Sequence, residues 1–414
     1  MTLLDQTPMV PSGLAPRGHS RLFSAAGPDF AEHLKRFGPL PALPDAAALI
    51  DELQAAGLSG RGGASFPTWR KMASARQTTA LDPAFAPVVI GNGAEGEPLS
   101  SKDAVLLQRA PHLVIDGLLL AARALAAGEV YLYTAAQQLP YVVRAISERS
   151  DANTIVLREA PDTFVSGEAS AVVNSIERGR AVPLDRREPL SVSGLHRRPT
   201  LVHNVETLAN VALVARFGAG WYRAAGTEDE PGTRLVSICG DVPRAGVIEV
   251  AGGTSVDAIL TRVGVEVSTV RAVLVGGYHG AWLPASALRS PLARRELEPY
   301  GASPGAGILM VLGRGRCALT VAAGITDYLG SQSARQCGPC VNGLPAMARV
   351  LSSVATMSRE PGLLDEVNRL AAVVTGRGSC HHPDGTARFV LSTLSVFERD
   401  VRAHQEGRCE ESMS

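Results

Sequence analysis

The sequence predicts a three-part protein: an α/β region with a mostly parallel sheet, a small α+β module, and a C-terminal bundle of helices. Three observations predict this order. Apolar, strand-like runs alternate with helical patterns from about residue 45 to residue 218, which is typical of a parallel sheet covered on both faces. Short β-type runs then fill residues 234–312, and four helical patterns follow residue 318.

The α/β region is expected to span residues 41–228. Helical spacing marks DAAALIDELQAAG, APHLVIDGLLLAARALAAG, QLPYVVRAISERS and NVETLANVALVARFG, the second as an amphipathic helix. Strands are predicted at APVVIGN, EVYLYTA and NTIVLREA. Residues 1–40, rich in proline, glycine and serine, predict a flexible lead-in.

The second and third parts are expected at residues 229–313 and 314–405. In the second, the β-type runs RLVSICGDV, GVIEVAGG, AVLVGGYHG and GILMVLG surround one helical pattern, SVDAILTRVG. In the third, the helical segments are ALTVAAGITDYLGSQ, LPAMARVLSSVATM, GLLDEVNRLAAVVTG and ARFVLSTLSVFERDVRAHQ. Four such segments can close into a bundle.

Composition excludes several classes of protein. The 414 residues carry 40 basic and 40 acidic side chains, which argues against nucleic-acid binding. The longest apolar run, residues 112–127, contains Asp116 and Arg123 and is shorter than the ~20 apolar residues that a membrane span needs. The N-terminus does not resemble a signal peptide. We therefore expect a cytoplasmic protein with no direct membrane insertion, in which disulfides are a poor explanation for the six cysteines.

The first candidate site is a glycine-rich loop, Gly60-Arg61-Gly62-Gly63-Ala64-Ser65-Phe66-Pro67-Thr68, which leads to Lys71. Its glycines let backbone N–H groups approach a phosphate or a ring system closely. Arg61 and Lys71 add positive charge, and Lys71 is one of only three lysines in the chain, with Lys35 and Lys102. The loop matches neither the Walker A pattern nor the GxGxxG fingerprint. Taken alone, it can equally be an ordinary glycine turn.

Three further motifs lie where strands or turns give way to helices. Asn92-Gly93-Ala94-Glu95-Gly96-Glu97-Pro98 follows the strand APVVI, and ligands of open α/β sheets bind beyond the carboxyl ends of strands. Asn92 can donate and accept, and Glu97 can accept from a ribose or an amide; a solvated acidic loop is the alternative. Ser166-Gly167-Glu168-Ala169-Ser170 and His203-Asn204-Val205-Glu206-Thr207 each open a helix, where anions bind and where ordinary N-capping is the alternative.

The last motif is Cys337-Gly-Pro-Cys340, with Cys380 forty residues further on. A CxxC at the start of a helix together with a distant cysteine favours a metal or cluster site. Zinc prefers four ligands, and only His381 and His382 adjoin these three cysteines. A redox dithiol and inert cysteines are the alternatives, although no thioredoxin-like βαβ pattern surrounds the motif.

The order and spacing of these motifs resemble one family. GRGGASFPTxxK, NGAEGEP followed by KD, SGEAS followed by NSIERGRA, PTLVHNVETLANV and the late CGPC are similar to the NADH- and FMN-binding flavoprotein subunit of bacterial respiratory complex I. Relatives of that subunit occur in soluble hydrogenases and formate dehydrogenases. The similarity covers about residues 45–400. It implies a Rossmann-like FMN domain, a soluble-ligand-binding β-grasp domain and a helical domain with a 4Fe-4S cluster.

The resemblance also implies roles for the matching residues. Those implied to bind FMN and NAD(H) are Gly60, Arg61, Gly62, Gly63, Phe66, Lys71, Asn92, Glu97, Gly167, Glu168, Asn204 and Thr207. Asn92 would hold the ribityl chain, and Asn204 and Thr207 would lie near the phosphate. Glu97 and Lys71 would position the dinucleotide, and no general acid or base is expected. Cys337, Cys340 and Cys380 would ligate the cluster.

The function that the resemblance implies is electron transfer from NAD(P)H through FMN to an iron–sulfur cluster or a ferredoxin-like partner. Flavin suits this position because it accepts a hydride and releases single electrons. Two alternatives stay open. One is a flavoprotein whose NADH site has degraded and which takes electrons from another donor. The other is a scaffold protein without redox activity.

The chain departs from the family pattern at several positions. Ala334 stands where the family's CxxCxxC motif has its first cysteine, which leaves three thiolates and makes His381 or His382 a candidate replacement ligand. The other departures are Ala169 for a glutamate, Ser74 and Pro189 for two aromatic residues that sandwich the adenine, His203 for an asparagine and Phe164 for a tyrosine. These changes predict a recognisable flavin pocket, a thinner NADH pocket and a cluster that is one ligand short.

Overall fold

The computed structural model describes residues 20–43, 45–81, 86–185 and 188–413. Within these ranges the chain forms two compact units. The N-terminal unit runs to Val236 and includes Val247–Gly253, whereas the C-terminal unit comprises Ser237–Gly246 and the chain from Thr254 onward. Each unit combines helices with a β-sheet, so the predicted mixed α/β organisation is confirmed.

The N-terminal unit is built around a four-stranded parallel sheet, as the alternating pattern predicts. Its strands, in the sheet order β3-β2-β1-β4, are β1 (Val88–Gly93), β2 (Glu129–Ala135), β3 (Ile155–Ala160) and β4 (Thr200–Asn204). Its helices are α1 (Phe30–Phe37), α2 (Ala46–Ala56), α3 (Thr68–Leu81), α4 (Lys102–Arg109), α5 (Pro111–Leu125), α6 (Leu139–Ser147), α7 (Ala169–Arg178) and α8 (Val205–Arg223). The strand order reverses at β1, where β4 is added on the other side, and such a switch point is where open α/β sheets bind ligands.

Both faces of this sheet are buried. Successive residues of a strand point to opposite faces, so Val89 joins the larger hydrophobic cluster with α5 and α8, while Val88 and Ile90 join the smaller one with α7. In this register Asn92 of β1 lies opposite Asn204 of β4. The carboxyl ends of these two strands therefore place polar side chains next to each other.

Helix α5 is more central than its predicted amphipathic pattern suggests. All of its residues except Arg123 are buried. Its Gly117 lies against the backbone of α8, where an added Cβ would come within 1.8 Å of the carbonyl oxygen of Leu208. Its one internal acid, Asp116, is neutralised by Arg149, Arg216 and His33. The helix is covered on all sides, and buried polar groups that find partners do not mark an exposed face.

The residues expected to form a flexible lead-in are structured from residue 20 onward; residues 1–19 lie outside the described part. Asp29 caps α1 by accepting from the N–H of Glu32 (3.0 Å), and the buried His33 contacts Asp116 (2.8 Å). The hydroxyl of Ser20 donates to Glu249 (2.7 Å), which also accepts from the N–H of Arg21. Proline and glycine content did not reveal these long-range partners.

The C-terminal unit contains the predicted α+β module. The second half of β5 (Thr233–Gly240) pairs in parallel with β9 (Ile308–Gly313), and β9 pairs antiparallel with β7 (Val270–Val275). Beside β7 lies β8 (Ala281–Pro284), and β6 (Gly246–Ala251) is the neighbour of β5. The remaining helices of the module are α9 (Val256–Arg262), as predicted, and α10 (Arg294–Leu297). Strand β8 escaped prediction because four residues ending in proline give no alternating pattern.

The chain ends in helices, as predicted, but the last predicted segment is divided in two. These helices are α11 (Ala318–Ser331), α12 (Leu344–Ala355), α13 (Leu363–Val374), α14 (His382–Val396) and α15 (Glu398–Gln405). A π-helical turn, Pro339–Gly343, leads into α12. Within the described residues no single helix has the length and apolarity of a membrane span; α4 and α5 reach them only together, across a 96° bend.

Candidate functional site

The glycine-rich loop closes on itself between α2 and α3. Ser59 and Pro67 form an isolated antiparallel bridge, and the N–H of Gly60 donates to the carbonyl of Phe66 (2.9 Å). Gly63 has a φ of +112°, which side-chain-bearing residues rarely adopt. The loop is therefore a defined turn whose shape depends on glycine.

This loop is attached to the start of α8. The backbone N–H of Arg61 donates to the hydroxyl of the buried Thr207 (2.9 Å). A Cβ added at Gly62 would lie 3.2 Å from the Cβ of Asn204. Two motifs that are about 140 residues apart in sequence are thus in contact, and the residues predicted near a phosphate are brought together.

The side chain of Arg61 does not share the position of its backbone. It is 3% exposed, and its guanidinium donates to the hydroxyl of Tyr222 (3.0 Å) and to the carbonyl of Thr233 (3.2 Å). The sequence analysis assigned its positive charge to the loop. The structure instead uses this charge in the interior of the N-terminal unit, and the backbone of Arg61 is what lines the loop.

The end of β1 meets the loop before α7. The side-chain amide of Asn92 donates to the carbonyl of Gly167 (2.9 Å), and its oxygen accepts from the N–H of Ala94 (3.1 Å). At Gly96 an added Cβ would approach the carbonyl oxygen of Phe164 to 2.2 Å. Backbone thus packs on backbone here, and glycine is required for the contact. Glu97 follows, half-buried, in the turn that precedes α4.

Asn204 links the two neighbouring strand ends to α8. Its side-chain oxygen caps α8 by accepting from the N–H of Glu206 (3.0 Å). Its amide donates to a carboxylate oxygen of Asp103 (2.5 Å) and to the carbonyl of Asn92 (3.4 Å). The capping role that the sequence left as an alternative is therefore real, and it coexists with a central place in the site.

A buried charge network lies beneath Asn204, and the sequence analysis assigned it no role. The ammonium of Lys102, 1% exposed, lies 2.6 Å from Asp103, 3.0 Å from Glu206 and 3.2 Å from Asn204. Burial disfavours a charge on Lys102, but the two carboxylates outweigh it and raise the pKa of the lysine. Burial raises the pKa of Asp103 to about 7, although Lys102 opposes this. Lys102 was noted as one of three lysines, which was the only sequence signal available.

Lys71, Phe66, Glu168 and His203 form the other side of the site. Burial lowers the pKa of Lys71, and the charge of Glu168 opposes this shift. The Lys71 ammonium lies 5.9 Å from the ring centre of Phe66, which is 45% exposed. Burial, reinforced by Lys71, holds the pKa of His203 well below its usual value. Its Nε2 is buried and makes no hydrogen bond within the described residues, which marks it as a group awaiting a ligand.

Glu168 has a structural partner as well. Its carboxylate caps α7 by accepting from the N–H groups of Ser170 (2.8 Å) and Ala171 (3.1 Å). On α3, the hydroxyl of Ser74 lies 2.8 Å from that of Ser191, two residues after Pro189. The two positions where the family has aromatic residues are therefore close in space, and small polar side chains occupy this region.

The C-terminal unit brings the three motif cysteines together. Cys340 is 2% exposed at the π-helical turn, and Cys337 and Cys380 are half-buried. Burial raises the pKa of Cys340 to about 12, and the neighbouring thiols of Cys337 and Cys380 add to the effect. Burial opposes ionisation of Cys337 too, but N–H groups of Ser379 and Cys340 lower its pKa. The trio is thus a sulfur-rich cluster beside Ala334.

The two candidate replacement ligands have other contacts. In His382, Nδ1 lies 3.0 Å from Nε2 of His279, and Nε2 lies 2.9 Å from the carbonyl of Leu329. Both of its ring nitrogens are therefore engaged. The side chain of His381 is fully exposed and contacts Asp384 (3.3 Å). Neither histidine occupies the position of the missing cysteine ligand in this arrangement.

Comparison with known proteins finds two family models along the chain. The Nuo51 FMN-binding domain matches residues 53–213, and the iron-sulfur binding region of NADH-ubiquinone oxidoreductase-F matches residues 320–404. The second F-type polypeptide of the NADH-quinone oxidoreductase of Rhizobium meliloti is 28% identical over 95% of this chain and 96% of its own. The NADP-reducing hydrogenase subunit HndC of Solidesulfovibrio fructosivorans is 26% identical over 87% of this chain and 77% of its own.

A solved structure agrees with these relatives. The NAD+-reducing NiFe hydrogenase in its H2-reduced state contains a chain with a TM-score of 0.79 and 30% identity, over 87% of this chain and 63% of that chain. This chain thus spans just under two thirds of the hydrogenase chain. Both family models match in the order that the motifs predict, one on each unit of the fold. The chain belongs to the family of FMN-binding flavoproteins that includes the F-type polypeptides of NADH-quinone oxidoreductase.

Proposed function

We propose that this protein is the NADH-oxidising, FMN-binding flavoprotein component of a multi-subunit oxidoreductase. The observation that carries the proposal is the convergence of the glycine loop, the end of β1 and the start of α8 at the switch point of the parallel sheet. Arg61 N–H to Thr207, Gly62 against Asn204, and Asn92 to Gly167 are its three contacts.

The residues at this convergence fit FMN. Gly60, Gly62 and Gly63 leave backbone exposed beside the N-terminus of α8, whose dipole favours a phosphate. Lys71 provides a positive charge at the same place. The buried Nε2 of His203 lacks a protein partner within the described residues, so a polar group of the ligand would satisfy it.

In the proposed reaction the flavin supplies the conversion of a two-electron donor into single electrons. The chain's own residues bind and orient. Phe66, 45% exposed, offers a face on which a nucleotide can stack. Lys71 and Glu97 would position the dinucleotide, and Asn92 would hold the ribityl chain. The buried Lys102–Asp103–Glu206 network fixes Asn204, so that the site is formed before any ligand binds.

The cysteine trio fits an iron–sulfur group with one protein ligand missing. Cys337, Cys340 and Cys380 would supply three thiolates, which is the donor chemistry such clusters require. Ala334 supplies none. We propose that the group is held by these three residues and that its fourth position is filled from outside this chain or stays open.

The finer architecture is part of the same proposal. Residues 41–228 would form the Rossmann-like FMN domain, residues 229–313 the β-grasp domain and residues 314–405 the iron–sulfur domain. The electron acceptor would be a ferredoxin-like or other iron–sulfur protein, because the relatives are named as subunits of larger enzymes. Within the described residues the cysteines of this chain form no disulfide, which suits a cytoplasmic protein.

An anaerobic visible spectrum of the purified protein, before and after NADH, tests the proposal. We expect flavin bands that bleach on addition of NADH. Absence of flavin from folded protein reconstituted with FMN would contradict it. Bands that persist with NADH but vanish with dithionite would favour the second candidate, a flavoprotein with another electron donor. The serine pair at Ser74 and Ser191 is the observation that favours this candidate, because each lost stacking face removes on the order of 1 kcal/mol of binding.

A further inference from the structure

A second group of metal-ligating side chains lies in the C-terminal unit, separate in sequence from the cysteine trio. It consists of Cys317, His404 and Cys409, whose ligand atoms all lie within 4.8 Å of one another. The sulfur of Cys317 is 3.4 Å from Nε2 of His404. Cys317 immediately precedes α11, His404 is in the last turn of α15, and Cys409 is in the segment after it. Neither the proposed electron transfer nor the family's cluster motif uses these three residues.

The imidazole is held in the orientation that a metal ligand needs. His404 is 2% exposed, and its Nδ1 lies 3.2 Å from the carbonyl of Val354 in α12. A carbonyl can only accept, so Nδ1 carries the proton, and the lone pair of Nε2 faces the sulfur of Cys317. Metal-binding histidines characteristically make this kind of hydrogen bond with the nitrogen that does not bind the metal.

We propose that Cys317, His404 and Cys409 form a site for a zinc-class divalent cation, with solvent in the fourth position. Zinc prefers tetrahedral coordination by thiolate and imidazole, with bonds of about 2.3 and 2.0 Å. These bonds and angles place a ligating sulfur about 3.5 Å from a ligating nitrogen, which agrees with the observed 3.4 Å. Two thiolates also neutralise the charge of the ion.

The fourth position is assigned to solvent because the neighbouring acid is already engaged. Glu411 accepts from the N–H of Gly315 (2.6 Å) and pairs with Arg271 (3.0 Å). Cys317 and Cys409 are half-buried, which leaves room for water. The site would connect the segment after α15 to the start of α11, and its role would be structural.

The test compares metal content in variants of the full chain, purified anaerobically with reductant. After chelator treatment, each protein is reconstituted with zinc sulfate, desalted and analysed for zinc and iron. The wild type and the control Cys239→Ser should hold one more zinc ion per chain than Cys409→Ser. Cys409→His should retain that ion because imidazole replaces the lost thiolate. Iron content, which reports on the cysteine trio, should be the same in all four proteins.

A second measurement keeps the test independent of how the variants fold. Cobalt added to the stripped wild type should produce a thiolate-to-metal charge-transfer band that is missing in Cys409→Ser. Equal zinc in the wild type and Cys409→Ser would overturn the proposal. So would mass spectrometry that finds Cys317 and Cys409 joined as a disulfide in the protein prepared under reducing conditions.

Discussion

Replacement of Lys102 by methionine should destabilise the N-terminal unit strongly. Lys102 lies 2.6 Å from Asp103 and 3.0 Å from Glu206, and its side chain is 2% exposed. At an effective dielectric constant of about 20, each of these attractions is worth about 5–6 kcal/mol before the loss of hydration is subtracted. Methionine keeps the length of the side chain but leaves two buried carboxylates without their cation. Removing one partner from such a group costs about 3–5 kcal/mol.

The assay is thermal unfolding of the full chain, followed by circular dichroism and by tryptophan fluorescence. For a unit of this size, 1 kcal/mol shifts the midpoint by about 2–4 °C, so we expect the N-terminal unit of Lys102→Met to unfold about 10 °C below the wild type at pH 8. The matched control is Lys35→Met. Lys35 is 77% exposed and 3.7 Å from Glu32, so its loss should change the free energy of unfolding by less than about 1 kcal/mol.

The pH dependence gives this prediction a second test. Burial raises the pKa of Asp103 to about 7 in the folded wild type, against about 4 in the unfolded chain. A carboxyl whose folded pKa is raised costs stability as pH increases between those two values. Without Lys102 the folded pKa rises further, so the penalty continues to grow above pH 7. The difference between Lys102→Met and wild type should therefore be largest at pH 8 and smaller at pH 5. A midpoint equal to that of Lys35→Met at pH 8, to within about 2 °C, would refute the reasoning.

Three further predictions concern the cofactor sites. Gly62→Glu should abolish FMN binding, because a charged side chain must enter a loop in which even a Cβ lies 3.2 Å from Asn204; flavin per chain is measured, with Gly324→Glu on the surface of α11 as control, and normal flavin would disprove the loop assignment. His203→Phe should weaken FMN binding about tenfold through loss of one hydrogen bond to Nε2, as titration of the apoprotein with FMN would measure; an unchanged Kd would remove His203 from the pocket. Ala334→Cys should raise iron per chain by completing the set of thiolates, and unchanged iron would mean that the trio holds no cluster.

The sequence was sufficient for the parallel sheet and for the position of the candidate site. The strand of β1, APVVIGN, is apolar throughout because both faces are covered, and this continuous pattern distinguishes it from a half-exposed strand. The motif after it then had to lie at the carboxyl edge, next to the end of β4. Asn92 opposite Asn204 follows from that topology.

The direction of individual side chains could not be predicted in the same way. Arg61 reads as a loop cation, but its partners Tyr222 and Thr233 are more than 150 residues away and draw the guanidinium inward. Lys102 reads as the first residue of an ordinary helix, and its carboxylate partner Glu206 lies on another helix. Cys317 and Cys409 carry no short spacing that a motif could reveal. Each of these features depends on contacts that only the folded chain creates.

The scarcity of lysine gives the protein a natural chemical reporter. An amine-directed reagent has three lysines to attack, and Lys102 is sealed inside the N-terminal unit while Lys35 is fully available on α1. Lys71 lies between these extremes, and burial lowers the pKa of its amine, which makes more of it nucleophilic at neutral pH. Mass spectrometry of labelled peptides would therefore follow occupancy of the glycine-loop site through Lys71, with Lys35 as the internal standard for reagent and Lys102 as the standard for intact fold.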